Sequence, residues 1–151
     1  MEVTSAPPES PFVLRLTRAQ HETVIDHCVA GLPHEACGLL VGPWSDGMPV
    51  GPVSSVVPCD NADQSAMTFS IAPKDMLRVM RDAEDAGNDI AGTWHSHTHT
   101  DAYPSPTDVR QAVDANWTYV IVSLAFGDPV LRGFHIRDGN IAEIQVVIAT
   151  E

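Results

Sequence analysis

Two histidines one residue apart, followed by a serine and an aspartate, constrain this chain more than any other feature. The two segments are His95-Ser96-His97 and Ser105-Pro106-Thr107-Asp108. Residues 89–97 have the length and composition of a strand, and side chains at i and i+2 of a strand point to one face. The two imidazoles can therefore converge on one metal ion, whereas on a helix the same pair would diverge.

The second segment has the pattern of a helix start. Ser105 occupies the N-cap position, a proline follows at the first helical position, and Asp108 places an acidic residue in the first turn. One interpretation is a capping box and nothing more. The other is that the helix returns to the histidine pair, so that Asp108 becomes the third ligand of a catalytic zinc ion with one position left for water.

The two segments, together with an upstream glutamate in a short apolar run, resemble the JAMM (MPN-plus) metalloprotease family. The upstream run is Glu35-Ala36-Cys37-Gly38-Leu39-Leu40-Val41-Gly42, and the resemblance extends from about Phe12 to Val147. It implies an α/β fold, the cytidine-deaminase-like JAMM/MPN domain, with a mixed β-sheet flanked by about three helices. From the residues alone, Glu35 does not stand out among the 20 acidic residues.

By this resemblance, five residues form the active site. His95, His97 and Asp108 hold Zn²⁺. Glu35 is the general base toward the attacking water, and Ser105 supports the oxyanion. Cys37 lies on the face of Glu35 if that run is extended, and it either approaches the metal or packs as a buried thiol.

The residues around the second histidine narrow the resemblance to one branch. Many family members that act on ubiquitin have Pro directly after this histidine, whereas this chain has Thr98. This version is similar to the small bacterial branch that releases cysteine from the C-terminus of a ubiquitin-like sulfur-carrier protein. That likeness implies a carrier with a Gly-Gly tail as partner and a place in cysteine biosynthesis. His99 lies roughly 13 Å from His95 along an extended chain, so the three histidines cannot easily share one metal; a place in the substrate groove is one interpretation of His99, and its contact with metal or substrate stays open.

Two alternatives stay open at this point. One is an isopeptidase that cleaves ubiquitin-like proteins from lysine side chains. The other is a non-catalytic MPN scaffold that binds a partner, although metal-free members of the family typically lack one or more of the ligands that are all filled here.

Length and composition predict one soluble domain. Residues 12–151 are long enough for a single JAMM/MPN domain with its own core. Residues 1–11 are rich in Pro, Ser and Glu and are expected to form a disordered leader. No apolar run approaches the roughly 20 residues of a membrane span, and the three cysteines have no disulfide or metal spacing. A cytoplasmic location is therefore expected.

The charge balance excludes one class of partner. The formal charge is −12, from 20 acidic and 8 basic residues, and nucleic-acid binding requires clustered Lys and Arg. Lys74 is the only lysine. An acidic, lysine-poor surface suits concentrated salt, where screening removes self-repulsion, and the alternative is an ordinary acidic cytosolic protein.

Hydrophobic periodicity predicts the other elements. Thr17 and Gln20 form a capping box before a first helix, and Pro73 begins a second. Asp138-Gly139 is a hairpin signal between the last two strands. Strands are expected at residues 12–16, 35–41, 53–58, 67–71, 89–97, 119–126, 130–136 and 141–148.

Overall fold

The computed structural model describes residues 2–3, 12–112 and 114–150. Within these ranges the chain forms ten strands and three helices. The strands are β1 Glu2–Val3, β2 Val13–Leu16, β3 Cys37–Gly42, β4 Trp44–Ser45, β5 Met48–Pro49, β6 Ser55–Cys59, β7 Asp89–His97, β8 Thr118–Ser123, β9 Val130–Arg137 and β10 Asn140–Ile148. The helices are α1 Arg18–Gly31, α2 Pro73–Asp85 and α3 Pro106–Gln111.

Eight of the described strands form one mixed sheet. Its order is β1-β10-β9-β8-β7-β3-β6, with β2 also paired to β10, while β4 and β5 form a separate hairpin. β7 and β8 run parallel and are joined by the crossover that contains α3, as a parallel pair requires. The predicted mixed sheet with about three helices is confirmed.

Side chains on the two faces of the sheet pack against different helices. Val24 and Cys28 of α1 join one buried cluster with Trp94 and Leu40, and Val79 of α2 joins another with residues of β3 and β7. β7 contributes side chains to both clusters, because successive side chains of a strand point to opposite faces of the sheet.

Gly38 permits the tightest contact in the first cluster. The Trp94 indole lies fully buried over this glycine, and its Nε1 donates a hydrogen bond to the Leu39 carbonyl at 3.2 Å. A Cβ on residue 38 would lie 2.1 Å from the indole Cζ2. The glycine of the Glu-Ala-Cys-Gly segment is therefore required for packing.

Several predicted elements are observed. The Thr17–Gln20 capping box begins α1, Pro73 begins α2, and Asp138 and Gly139, both with positive φ, turn the chain between β9 and β10. No helix in the described ranges combines the length and apolar composition needed to cross a bilayer.

The strand predicted at residues 67–71 is wrong. The segment is a loop with a single bridge between Asn61 and Ile71. Its backbone groups are satisfied by the Asn61 side chain, which donates to the Thr68 carbonyl at 3.0 Å and accepts from the Ser70 amide at 3.0 Å. Because an Asn side chain offers the backbone an alternative to a ladder, β-propensity does not decide the structure here.

The predicted leader is described only in part. At Glu2–Val3 the structure has a strand, β1, antiparallel to β10 with Val3 opposite Val146, and not the disorder expected from composition, because the edge of β10 supplies backbone partners. Residues 1 and 4–11 lie outside the described residues, so the prediction for them stays a prediction.

Candidate active site

The C-terminal end of β7 presents the two histidines side by side. The Nε2 atoms of His95 and His97 lie 3.2 Å apart, and both side chains are buried. The i, i+2 spacing on a strand therefore brings the imidazoles together as predicted.

Asp108 faces the same point from the first turn of α3. Its Oδ1 lies 3.3 Å from His95 Nε2, and its Oδ2 lies 3.0 Å from His97 Nε2. The Ser105 Oγ accepts a hydrogen bond from the Asp108 amide at 3.1 Å, and the Ser105 amide donates to Asp108 Oδ2 at 2.9 Å. The segment is thus a complete capping box, and the same carboxylate reaches the histidine pair.

These three side chains form a group that can hold a metal ion. One ligand atom from each of His95, His97 and Asp108 lies within 4.8 Å of the others. Two imidazole nitrogens and one carboxylate oxygen match the donor sets of catalytic zinc sites, which have three protein ligands. A second contact orients the His97 ring, because its Nδ1 lies 2.7 Å from the Asp101 carbonyl oxygen. This contact directs Nε2 toward His95 and Asp108.

The electrostatics of the group favour a cation. Burial opposes ionisation of Asp108, but hydrogen bonds from His95 and His97 outweigh it and hold the pKa of the carboxyl well below its usual range. Burial lowers the pKa of His95, which keeps this imidazole in the neutral form that a metal ligand needs. At His97 burial also opposes the charge, yet contacts with Asp108 and Asp101 raise the pKa.

Glu35 lies opposite the second histidine. Cys37 pairs with His95 in the antiparallel β3–β7 register, and the Ser96 amide continues the pairing with a bond to the Ala36 carbonyl at 3.0 Å. This places Glu35 across from His97, and its side chain is 6% exposed. Burial raises the pKa of Glu35 to about 7, opposed by the charge of His97.

The chain matches the family model for prokaryotic homologs of the JAB domain over residues 17–135. The chain belongs to this family. It is 34% identical over 143 residues to the CysO-cysteine peptidase of Mycobacterium tuberculosis, covering 93% of this chain and 94% of that protein. It is 31% identical over 117 residues to the desampylase of Haloferax volcanii, covering 73% of this chain and 80% of that protein.

A solved structure agrees with the fold of this JAB-domain chain. Protein DSY2949 from Desulfitobacterium hafniense, determined in solution, is 35% identical, with a TM-score of 0.81 over 93% of this chain and 94% of that chain. The resemblance to the JAMM/MPN family is therefore confirmed, and the chain is a hydrolase of that family.

Residues 60–71 form a loop beside the site. The sequence predicts a polar loop at residues 60–66 as a possible groove loop, but not its contacts with the site residues. Its Ser65 carbonyl accepts a hydrogen bond from the Glu35 amide at 2.7 Å, and its Asn61 Nδ2 donates to the Glu35 carbonyl at 2.9 Å. Phe69 stacks on His95 with ring centroids 4.2 Å apart. The loop at residues 60–71 thus contacts both Glu35 and His95, and no local sequence pattern predicts these contacts.

Thr98, directly after the second histidine, is hydrogen-bonded to that loop. Its hydroxyl donates a hydrogen bond to the Ala66 carbonyl at 3.0 Å. The neighbouring His99 is exposed and lies outside the three-residue ligand group. The Thr98 hydroxyl therefore adds a bond between the residue after the second histidine and the loop.

Cys37 packs in the core. It is fully buried beside Cys59, Val79 and Ile90, and its Sγ donates to the Asp60 carbonyl at 3.5 Å. Burial raises the pKa of the Cys37 thiol to about 12. A thiol that resists ionisation is a poor metal ligand, so the packing interpretation of Cys37 is the one the geometry favours.

Proposed function

We propose that this chain is a zinc-dependent metallopeptidase that hydrolyses the amide bond after the Gly-Gly C-terminus of a ubiquitin-like sulfur-carrier protein, and that the released group is cysteine. The observation that carries the proposal is the convergence of His95, His97 and Asp108 opposite Glu35. The name of the mycobacterial relative supports the substrate class.

His95, His97 and Asp108 would hold the metal. When bound, Zn²⁺ polarises the scissile carbonyl and makes the attacking water more acidic. The protein side chains set its position: β7 fixes both imidazoles on one face, and the α3 capping box fixes the carboxylate. Because Asp108 is held by the Ser105 amide as well as by the histidines, its orientation is established before any ligand binds.

Glu35 would act as the general base and then as the acid. It accepts a proton as the water oxygen bonds to the carbonyl carbon, and it passes the proton to the departing nitrogen as the C–N bond breaks. A carboxyl whose pKa is raised to about 7 suits both tasks at neutral pH. Its backbone is held on both sides by Ser65 and Asn61, which limits the positions its side chain can take.

Ser105 would stabilise the oxyanion. A hydroxyl has one proton to donate and two lone pairs to accept with, and the capping bond from the Asp108 amide uses a lone pair. The proton of the hydroxyl is therefore available for the developing negative charge on the carbonyl oxygen.

A Gly-Gly tail suits the crowded approach to this centre. Only glycine lets a substrate backbone pass close to the buried ligand group, and an extended tail can pair with a strand edge through its main chain. The acidic composition disfavours nucleic acid as a partner. Three buried free cysteines are compatible with the reducing cytoplasm, which we propose as the location.

An isopeptidase on lysine-linked conjugates is the second candidate function. The observation that favours it is the similarity to a protein named desampylase. The same His95, His97, Asp108 and Glu35 would serve both reactions, since each cleaves an amide after a carrier C-terminus. The two candidates differ only in the amine that leaves.

Mass spectrometry of three incubations tests the proposal. A carrier–cysteine adduct is incubated with zinc-loaded enzyme, with chelator-treated enzyme, and with chelator-treated enzyme resupplied with zinc. We expect loss of one cysteine mass in the first and third incubations only. An intact adduct in all three, beside efficient cleavage of a lysine-linked conjugate, would establish the isopeptidase instead.

A further inference from the structure

A cavity of about 290 Å³ opens beside the ligand group, on the face of the sheet that α2 and α3 flank. Most of its lining is apolar and comes from five separate parts of the chain. These residues are Phe69, Ile71, Met76, Trp117, Ile121 and Ile136. Its floor is buried, whereas Ser70 and Gln111 at its margin are exposed, so the cavity is open to solvent.

The cavity adjoins the position where the reaction would take place. His95 and Asp108, two of the three members of the ligand group, form part of its wall. Phe69 belongs to the same wall and stacks on the His95 ring. A scissile bond placed at the ligand group would therefore lie about one residue away from this cavity.

The residues that line the cavity determine which kinds of side chain it can bind. The lining contains no Lys or Arg, so an acidic side chain would lose its hydration there without gaining an ionic partner. Its one carboxylate, that of Asp108, is already engaged by His95 and His97, so a basic side chain finds no free partner either. Water held by apolar walls makes few hydrogen bonds, so an apolar group that displaces it binds favourably. An engineered apolar cavity of about 150 Å³ binds benzene, and this cavity is about twice as large.

Only one side of the scissile bond has a side chain to fill this space. The carrier residues next to the bond are both glycine in the proposed substrate, and glycine has no side chain. The amino acid on the leaving nitrogen begins directly at the ligand group. Cysteine, with one carbon and one sulfur beyond Cα, would fill a small part of the cavity.

We propose that this cavity, the leaving-group pocket, binds the side chain of the amino acid released from the carrier. It favours uncharged apolar side chains, and the larger ones of methionine and phenylalanine bind better than the smaller one of cysteine. The inference rests on the proposed function, since it presupposes a carrier adduct as substrate. It makes cysteine one member of a wider class of released residues.

A series of carrier adducts tests the selection. Adducts ending in Gly-Gly-X, with X as glycine, aspartate, cysteine, methionine or phenylalanine, are compared by kcat/KM with the zinc-loaded enzyme. We expect the methionine and phenylalanine adducts to exceed the glycine adduct by about tenfold, from the added buried apolar surface, and the aspartate adduct to be the slowest. Equal rates across the series would overturn the proposal, as would a preference set by the carrier residue before Gly-Gly.

Two variants on α2 assign the preference to the pocket. Met76→Trp fills the space from its half-buried rim, and Leu77→Trp adds the same ring at the next residue, which is exposed and outside the lining. Met76→Trp is expected to remove the advantage of methionine and phenylalanine adducts while the glycine adduct is still cleaved. Leu77→Trp is expected to keep the wild-type order. A uniform loss in Met76→Trp, or an unchanged order in it, would contradict the assignment.

A binding measurement separates this inference from the proposed function. Zinc-loaded protein with labelled isoleucine methyl groups is titrated with phenylalanine amide and with glycine amide, and followed by NMR. Phenylalanine amide should shift Ile71, Ile121 and Ile136, which line the pocket, and leave Ile25 and Ile148 unchanged, whereas glycine amide should shift none. If no adduct is cleaved but these shifts appear, the proposed substrate fails and the ligand class of the pocket stands. Pocket methyls that do not respond overturn the inference, even if the carrier–cysteine adduct is cleaved.

Discussion

The two faces of the central sheet differ in how completely they are filled. On the α1 face, Trp94, Leu40 and Val120 join a cluster of buried side chains, and we call this the closed face. On the other face, β7 presents His95 and His97 beside a solvent-open cavity, and we call this the open face. Successive side chains of β7 point to opposite faces, so Trp94 packs in the core on one side while His95 and His97 line the candidate site on the other. Substitutions on the open face should alter the reaction and spare the fold, and those on the closed face should do the reverse.

The largest effect is expected from Asp108→Ala on the open face. Removing one of the three proposed ligands would leave too few to retain zinc, so we expect metal content to fall to near zero and hydrolysis to cease. Loss of the cap should lower the free energy of unfolding by only about 1 kcal/mol.

Ser105→Ala is the matched control for that substitution, because it removes the other hydrogen bond of the same capping box and keeps all three proposed ligands. Elemental analysis should find about one zinc per chain in Ser105→Ala and almost none in Asp108→Ala. Full zinc occupancy in Asp108→Ala would remove this residue from the ligand set.

Glu35→Gln should separate the base from the ligands. The amide keeps the size of the carboxyl but cannot accept the proton, so hydrolysis is expected to fall by about two to four orders of magnitude. Zinc content and the unfolding temperature should match those of the wild-type protein. A near-wild-type rate in the zinc-loaded variant would show that another group takes the proton.

The ligand group could be predicted from sequence because local geometry determines it. Strand alternation places His95 and His97 together, and the N-cap pattern places Asp108 in a first turn, so fourteen consecutive residues contain the whole set. Glu35 required the family resemblance, since its position opposite His97 depends on the pairing of β3 with β7.

The surroundings of the group could not be predicted in the same way. Asn61 contacts the Glu35 backbone across 26 residues, and Thr98 contacts Ala66 across 32. The cavity brings together side chains from separate strands, a helix and a loop. Such contacts depend on tertiary packing, which periodicity does not encode. The strand predicted at 67–71 was wrong for the same reason, because the Asn61 side chain bonds the backbone there. The salt-adapted interpretation of the acidic composition stays a prediction.

Gly38→Ala tests the closed face. The new Cβ would lie 2.1 Å from the Trp94 Cζ2 and 2.6 Å from the Val57 carbonyl oxygen, and the backbone oxygen cannot move aside without disturbing the β3–β6 pairing. Overpacking of this kind should lower the free energy of unfolding by about 2–4 kcal/mol.

Gly42→Ala, at the end of the same strand, is the control. There the nearest atom to the new Cβ is 3.5 Å away, so little change in stability is expected. Chemical denaturation of both variants measures the difference. Equal stabilities would mean that the closed face accommodates the added methyl group at residue 38 without strain.

The smallest expected effect concerns His135, which lies between two residues of the opposite face, Phe134 and Ile136, and packs its ring 5.1 Å from Phe12. Burial lowers the pKa of His135 to about 4, and Arg137 adds to the shift. Between the unfolded pKa of about 6.5 and the folded value, the unfolded chain binds a proton that the folded chain does not, so stability falls as the pH decreases through this range.

Compared with His135→Phe, the wild-type protein should lose about 2 kcal/mol more unfolding free energy between about pH 7.5 and pH 5. Urea denaturation of both proteins at the two pH values gives this difference of differences, in which all other titrating groups cancel. The phenylalanine ring retains the contact with Phe12 but cannot take up a proton, so the comparison isolates the charge. If both proteins lose the same free energy on acidification, His135 is not held neutral by the closed face, and the contrast between a closed face and an open one would not extend to this end of the sheet.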